Sequence, residues 1–372
     1  MQRTVLLVFD SFKGSISASA LGERLAQRLA PHLPEARIVN FPASDGGDGF
    51  ADSVGYHFRT TPVTCPVSDP LMRPREARYV WSPADRLAII ESAQANGLAL
   101  LDPDERDPLR TTTYGVGELL LDAADRGAAE VVLGVGGSAT VDGGTGMAGA
   151  LGFGFLDGDG RRLDATIAAL DHVARIVPPD PHPLADLTIR VASDVRTRLL
   201  GERSAVWIYG PQKGGTTASL TRIERTLARL AEHVRPLYGL DYAGMPMGGA
   251  AGGLAAGLAA FAGAELCSGM ALFDELTGLA DRVAASDLVI TGEGRLDEQS
   301  AEGKVVSYVA DVARRAGVPV IALCGSAGEH GIPLDGVVGL TDSGLPAEEC
   351  MARPLDALDR ILPRLAQLIR RH

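Results

Sequence analysis

Mostly apolar runs five to seven residues long, each closed by a small or acidic residue, recur along the chain. Val5–Phe9 ends at Asp10, and Glu130–Gly134 leads into a glycine-rich stretch. Leu187–Ala192 ends near Asp194, Asp287–Thr291 ends at Gly292, and Val318–Cys324 ends at Gly325. Continuous runs of this kind predict strands buried on both faces, as in parallel sheets. Between them the period changes. Ala18, Leu21, Leu25 and Leu29 fall on one helical stripe, and so do Leu355, Leu358, Leu362, Leu365 and Ile369, with Pro363 a candidate kink. Further helices are predicted from Thr113 to Gly127 and over Lys304–Arg315, closed by Gly317. Ala36–Phe41 completes a strand–helix–strand opening.

The stretch from Thr61 to Ala93 departs from this rhythm. Val63–Val67, Arg78–Trp81 and Leu87–Glu91 are short strands joined by proline-rich turns with no helix between them, which predicts antiparallel pairing. The expected fold class is therefore α/β. A Rossmann-like, doubly wound domain is built from residues 1–60 and 285–372, and a second α/β domain is inserted as residues 61–284. The cleft between two such domains is the expected place for a small ligand.

Composition narrows the function. Forty-seven acidic residues against 35 Lys and Arg give a formal charge of −12, which disfavours nucleic acid and anionic membranes as partners. The four cysteines, Cys65, Cys267, Cys324 and Cys350, form no C-x-x-C pair and are expected to be reduced thiols of a cytoplasmic protein. The apolar run before Asp10 is shorter than a signal peptide needs. The Ala/Gly-rich stretch Met245–Ala264 is interrupted by Pro246 and reads as a buried helix entry. No histidine pair has zinc-site spacing. Nothing in the residues decides between a monomer and a homo-oligomer.

Ligands in open α/β sheets collect beyond the carboxyl ends of strands. Three polar loops stand there: Asp10-Ser11-Phe12-Lys13, Ser44-Asp45-Gly46-Gly47-Asp48 and Gly292-Glu293-Gly294-Arg295-Leu296-Asp297. If they converge, their carboxylates suit Mg²⁺, and Lys13 and Arg295 suit anionic oxygens. Lys13 is read at the opening of the first helix, where a cation opposes the helix dipole and so calls for an anionic partner. Neither the P-loop nor the protein-kinase signatures are present. DSFKGS carries too few glycines for a dinucleotide fingerprint. Gly134-Val135-Gly136-Gly137-Ser138 can still cradle phosphate through its backbone N–H groups.

Seven segments together resemble the bacterial type-1 glycerate kinase family over nearly the whole chain. In order they are DSFKGSISA (10–18), SDGGDG (44–49), RDPLRTTTYGVGELL (106–120), GVGGSATVDGGTGMAGALG (134–152), GPQKGG (210–215), GGAAGGLAAGLAAF (248–261) and TGEGRLDEQSAEGK (291–304). The chain departs from the family pattern at Ser44 and Asp48, where Ala and Glu are usual, and at Thr197-Arg198, where Asn-Pro is usual.

The resemblance implies transfer of the ATP γ-phosphoryl group to D-glycerate with Mg²⁺, the product leaning to 2-phosphoglycerate. The expected catalytic residues are Lys13, Asp194 and Asp297, and the expected substrate contacts are Ser11, Asp45 and Arg295. Gly136, Gly137, Ser138, Lys213, Gly252, Gly253 and Glu293 are expected at the nucleotide, with Asp194 and Asp45 at the metal. Two other readings remain open at this stage: a nicotinamide-dependent hydroxy-acid oxidoreductase and a non-catalytic metabolite-binding regulator.

Overall fold

The computed structural model describes residues 2–301 and 304–372. The chain divides into two compact units, Met1–Phe58 with Ser268–His372, and Arg59–Cys267. Residues 268–284, expected in the insertion, group with the first unit. They form the helices Gly269–Thr277 and Leu279–Ala284.

The first unit is built on a five-stranded parallel sheet. From one edge to the other its order is Gly336–Gly339, Val320–Cys324, Leu288–Gly292, Arg3–Phe9 and Ala36–Asn40. From Arg3–Phe9 the chain winds outward one way to Ala36–Asn40. From Leu288–Gly292 it winds the other way through Val320–Cys324. The direction of winding therefore reverses between Arg3–Phe9 and Leu288–Gly292, the arrangement that opens a crevice at the carboxyl edge.

Helix Ala18–Leu29 forms where the sequence places its apolar stripe, with Leu21, Leu25 and Leu29 fully buried. Ser17 caps it, its hydroxyl accepting from the Ala20 N–H at 3.3 Å. This helix lies so close to the sheet that a Cβ on Gly22 would stand 1.8 Å from Asn40 Oδ1. The last helix, Pro354–Ile369, continues through Pro363 and packs Leu358, Ile361 and Leu365 into the same core. Each such side chain contributes about 1.5–3 kcal/mol by leaving water. In a separate core, Val306 and Ala310 of helix Val305–Ala316 pack against Ala322 and Cys324.

The second unit holds a mixed six-stranded sheet in the order Glu265–Cys267, Thr188–Ala192, Glu130–Gly134, Leu87–Glu91, Pro74–Ser82 and Thr61–Ser68. The last three pair antiparallel, as their proline-rich turns predict, and the others are parallel. Its parallel strands follow one another in chain order across the sheet, with no reversal. The 22-residue helix Thr217–Tyr238, capped by Thr216, buries Leu220, Ile223, Leu227, Leu230 and Val234. The Ala/Gly-rich stretch forms a short 3₁₀ turn, Ala250–Gly253, and the buried helix Leu254–Phe261. Among the described residues no helix is long and apolar enough to cross a membrane.

Candidate active site

All five strands of the first unit's sheet deliver their carboxyl-end loops to one cavity of about 550 Å³. Asp10, Ser11 and Lys13 come from the first loop, Asp45 and Asp48 from the second, and Glu293 and Arg295 from the third. The three polar loops singled out in the sequence thus converge. Asp297 holds Arg295 in place, with Arg295 Nε 3.1 Å from Asp297 Oδ2. The Asp297 N–H donates to Ser300 Oγ at 3.0 Å.

Local chemistry shapes each loop. The Ser11 N–H donates to Asp10 Oδ1 at 2.7 Å, and the Ser11 hydroxyl donates to the Asp48 carbonyl at 3.1 Å. Asp45 folds its own turn by accepting the Gly47 N–H at 3.1 Å. At Gly325 the chain passes so close to its neighbour that a Cβ would stand 2.3 Å from the Gly294 carbonyl oxygen. Only glycine keeps that approach.

The charges are arranged in two sets. Burial, then the neighbouring Asp45, raises the Asp10 carboxyl well above its ordinary pKa; the Ser11 N–H and Lys304 pull the other way, and Glu293 adds to the rise. Glu293 is also raised, first by burial, against the lowering effect of its Ser300 hydrogen bond and of Lys304. Its Oε1 is buried without a hydrogen-bond partner. The cations Lys13 and Arg295 are mostly exposed in the cavity, each with 79% of its side chain accessible. Lys13 Nζ lies 3.2 Å from Asp48 Oδ2.

Lys13 does not open a helix. Helix Ala18–Leu29 starts five residues later, and Lys13 lies in a turn in which the Ser15 N–H donates to the Phe12 carbonyl at 2.8 Å. Its anionic neighbour is Asp48 rather than anything a helix dipole requires. Lys304, a lining residue, went without a role in the sequence, although it closes the last of the seven motifs. Gly325 and Thr341 also line the cavity, and nothing in their local sequence marks them.

The remaining candidates belong to the second unit. Asp194 follows the carboxyl end of strand Thr188–Ala192. Gly136 and Gly137 reach the surface, but Ser138 is buried with Lys213. Lys213 Nζ donates to Ser138 Oγ at 2.9 Å and to the Thr140 carbonyl at 2.8 Å, and burial lowers its pKa to about 7 against a smaller raising effect of Asp142. Asp142 is fully buried and accepts from the Thr113 N–H and hydroxyl and from the N–H groups of Gly144 and Gly146. A Cβ on Gly252 would stand 2.0 Å from the Thr140 carbonyl oxygen, and one on Gly253 2.6 Å from Leu199 Cδ1. The glycines at 252 and 253 thus serve close packing of the chain on itself.

Cations suited to anionic oxygens and carboxylates suited to a hydroxyl proton gather at the carboxyl edge of a parallel sheet, an arrangement that fits an α/β phosphotransferase. Comparison with known proteins gives the particular family. The glycerate kinase family model matches residues 5–370, and the chain belongs to that family. It is 38% identical to the glycerate kinase of Halalkalibacterium halodurans, over 98% of this chain and 97% of that one. It is also 38% identical to the glycerate 2-kinase of Escherichia coli K12, over 87% and 85% of the two chains. The crystal structure of a Salmonella typhimurium LT2 chain assigned as glycerate kinase 2 superposes with a TM-score of 0.82 at 36% identity, covering 91% of this chain and 90% of that one.

Proposed function

We propose that the chain transfers the γ-phosphoryl group of ATP to the 2-hydroxyl of D-glycerate, giving 2-phosphoglycerate and ADP. The observation that carries this reading is the convergence of Lys13, Arg295, Lys304, Asp10, Asp45 and Glu293 on one cavity, in a member of the glycerate kinase family.

The exposed Arg295 guanidinium, steadied by Asp297, offers a planar fork to the glycerate carboxylate. Ser11 and Asp45 stand beside the acceptor hydroxyl. Lys13 exchanges its Asp48 partner for oxygens of the transferring phosphoryl group, where a positioned cation gains strength as charge moves. As the hydroxyl oxygen bonds to phosphorus and the bond to the ADP oxygen breaks, the hydroxyl proton passes to Asp10. That carboxyl suits the task because its raised pKa makes it a better proton acceptor than an ordinary aspartate. Asp10 thereby takes the role first expected of Asp297, which acts through Arg295.

Mg²⁺ suits the same cluster. The unpartnered Glu293 Oε1 and the mutual repulsion around Asp10 mark a place where added positive charge is favourable. Among the described residues no group of three or more His, Cys, Asp or Glu is placed to hold a metal alone. Mg²⁺ keeps several waters and phosphate oxygens among its ligands. Asp45 and Glu293 would hold it, and when bound it neutralises phosphate charge. Asp194 is the other carboxylate put forward for the metal, and a Mg²⁺ titration of Asp194→Asn decides its part.

The reading is tested by ADP release in the presence of D-glycerate, L-glycerate, glycerol or lactate. Release is expected to require D-glycerate, and phosphorus NMR is expected to place the phosphate on the 2-position. Equal turnover with glycerol removes the role of the carboxylate fork.

A further inference from the structure

The cavity of the first unit is larger than its charged groups need. At the ~30 Å³ a water molecule occupies in the liquid, the seven non-hydrogen atoms of glycerate fill roughly 200 Å³. The cavity holds about 550 Å³, well within the size of sites for larger ligands. Its lining is also two-sided. Charged side chains gather where the winding of the sheet reverses, and Phe12, Leu340, Ala347, Cys350 and Met351 make an apolar wall. Met351, on helix Ala347–Ala352, keeps 57% of its surface exposed, and its carbonyl accepts the Ser15 hydroxyl at 2.6 Å. That bond ties the apolar wall to the loop carrying Lys13.

We infer that this apolar wall is the shelf for the nucleoside of ATP, whose polyphosphate runs from it to Lys13 and Lys304. A flat aromatic base needs an apolar surface, and a polyphosphate needs cations beside that surface. The cavity supplies both. The glycine-rich segments of the second unit, expected to take the nucleotide, offer less. Lys213 already spends its donors on Ser138 and Thr140, and Gly252 is filled against Thr140 by the chain itself. The second unit's parallel strands also lack the reversal that opens a crevice.

The assignment deepens the kinase reading above and rests on it for the identity of the nucleotide. ADP binding, measured by calorimetry without glycerate, tests it separately from turnover. Met351→Glu and Ala347→Phe change exposed side chains, and matching thermal midpoints check that both variants fold. Each is expected to weaken ADP binding by about tenfold or more, through charge or bulk on the shelf, and to leave the Michaelis constant for D-glycerate within about twofold. Photolabelling with 8-azido-ATP is expected to mark the tryptic peptide 316–360, since trypsin does not cut before Pro354. ADP affinity within twofold of wild type in both variants, or label on peptide 127–161 instead, overturns the inference. Binding of ADP on the shelf without D-glycerate-dependent turnover overturns the substrate reading and keeps this one.

Discussion

Lys213 offers a measurement in which burial alone sets the size of the effect. The residue is 3% exposed, and the two acceptors of its amine, Ser138 Oγ and the Thr140 carbonyl, match the two N–H bonds of a neutral amine. Burial lowers its pKa from 10.5 to about 7. Between those values the unfolded chain holds a proton that the folded chain has released, so stability rises with pH across that window. The gap, taken at 1.36 kcal/mol per pH unit, is a full effect of about 5 kcal/mol. From pH 7 to pH 9, with the folded amine half protonated at the start, the gain is about 2 kcal/mol.

Both tryptophans of the chain, Trp81 and Trp207, lie in the same unit as Lys213, so urea unfolding followed by tryptophan fluorescence reads that unit. Lys213→Met keeps an unbranched apolar stem out to Cε and removes the titration. Its unfolding free energy is expected to rise by about 2 kcal/mol less than wild type's between pH 7 and pH 9. Other groups titrating in that range cancel in the comparison. Equal pH dependence in the two chains would show that the amine stays charged or reaches water, and the packing argument for its loop would fall with it.

Asp10→Asn is expected to lower kcat by about a hundredfold or more. In wild type, kcat falls as pH drops through the raised pKa of Asp10, and the variant should lose that acid limb in a pH–rate profile. Because the folded state holds the Asp10 proton at pH values where the unfolded state has released it, the ionised carboxylate weakens the fold at neutral pH. The same variant should therefore melt at a higher temperature in calorimetry. Arg295→Lys is expected to raise the Michaelis constant for D-glycerate by about tenfold at nearly constant kcat, and Asp297→Asn to raise it less, since Asp297 is proposed to act through the guanidinium. Gly252→Ala places a methyl group 2.0 Å from the Thr140 carbonyl oxygen at a φ of +66°, and should cost the second unit about 2 kcal/mol in urea unfolding.

The strands were legible because burial on both faces leaves an uninterrupted apolar run. Glu130–Gly134 has the predicted bounds, and Leu87–Glu91 likewise. Helix Ala18–Leu29 was legible through its stripe, but its start was not. Ser15 and Ser17 are both good capping residues, and a turn closed between Phe12 and Ile16 takes up the chain before Ser17. That turn moves Lys13 off the helix. The site was half legible. Charged residues after strands announce themselves, so Lys13, Asp45, Glu293 and Arg295 could be singled out, and they line one cavity. Burial does not announce itself: DSFKGS does not say that Asp10 is desolvated, and GPQKGG does not say that Lys213 is enclosed. Both facts arise from chain segments far away in sequence.

Glycine-rich motifs looked alike in the two units, and topology explains why they came to differ. A loop at the carboxyl end of a strand is free to hold a ligand only where the crossovers on its two sides depart in opposite directions. In the first unit they do so between Arg3–Phe9 and Leu288–Gly292, and there the loops at the carboxyl ends of the strands line one cavity. In the second unit the parallel strands advance in one direction. The segments following them close over one another, as in the Gly143 N–H donating to the Gly252 carbonyl at 3.1 Å and Asp142 tying the loop to Thr113. Glycine permits close backbone approach in both units, at Gly325 against the Gly294 carbonyl in the first and at Gly252 against the Thr140 carbonyl in the second. What differs is the order of strands, which reverses in the first sheet and so opens a crevice at its carboxyl edge.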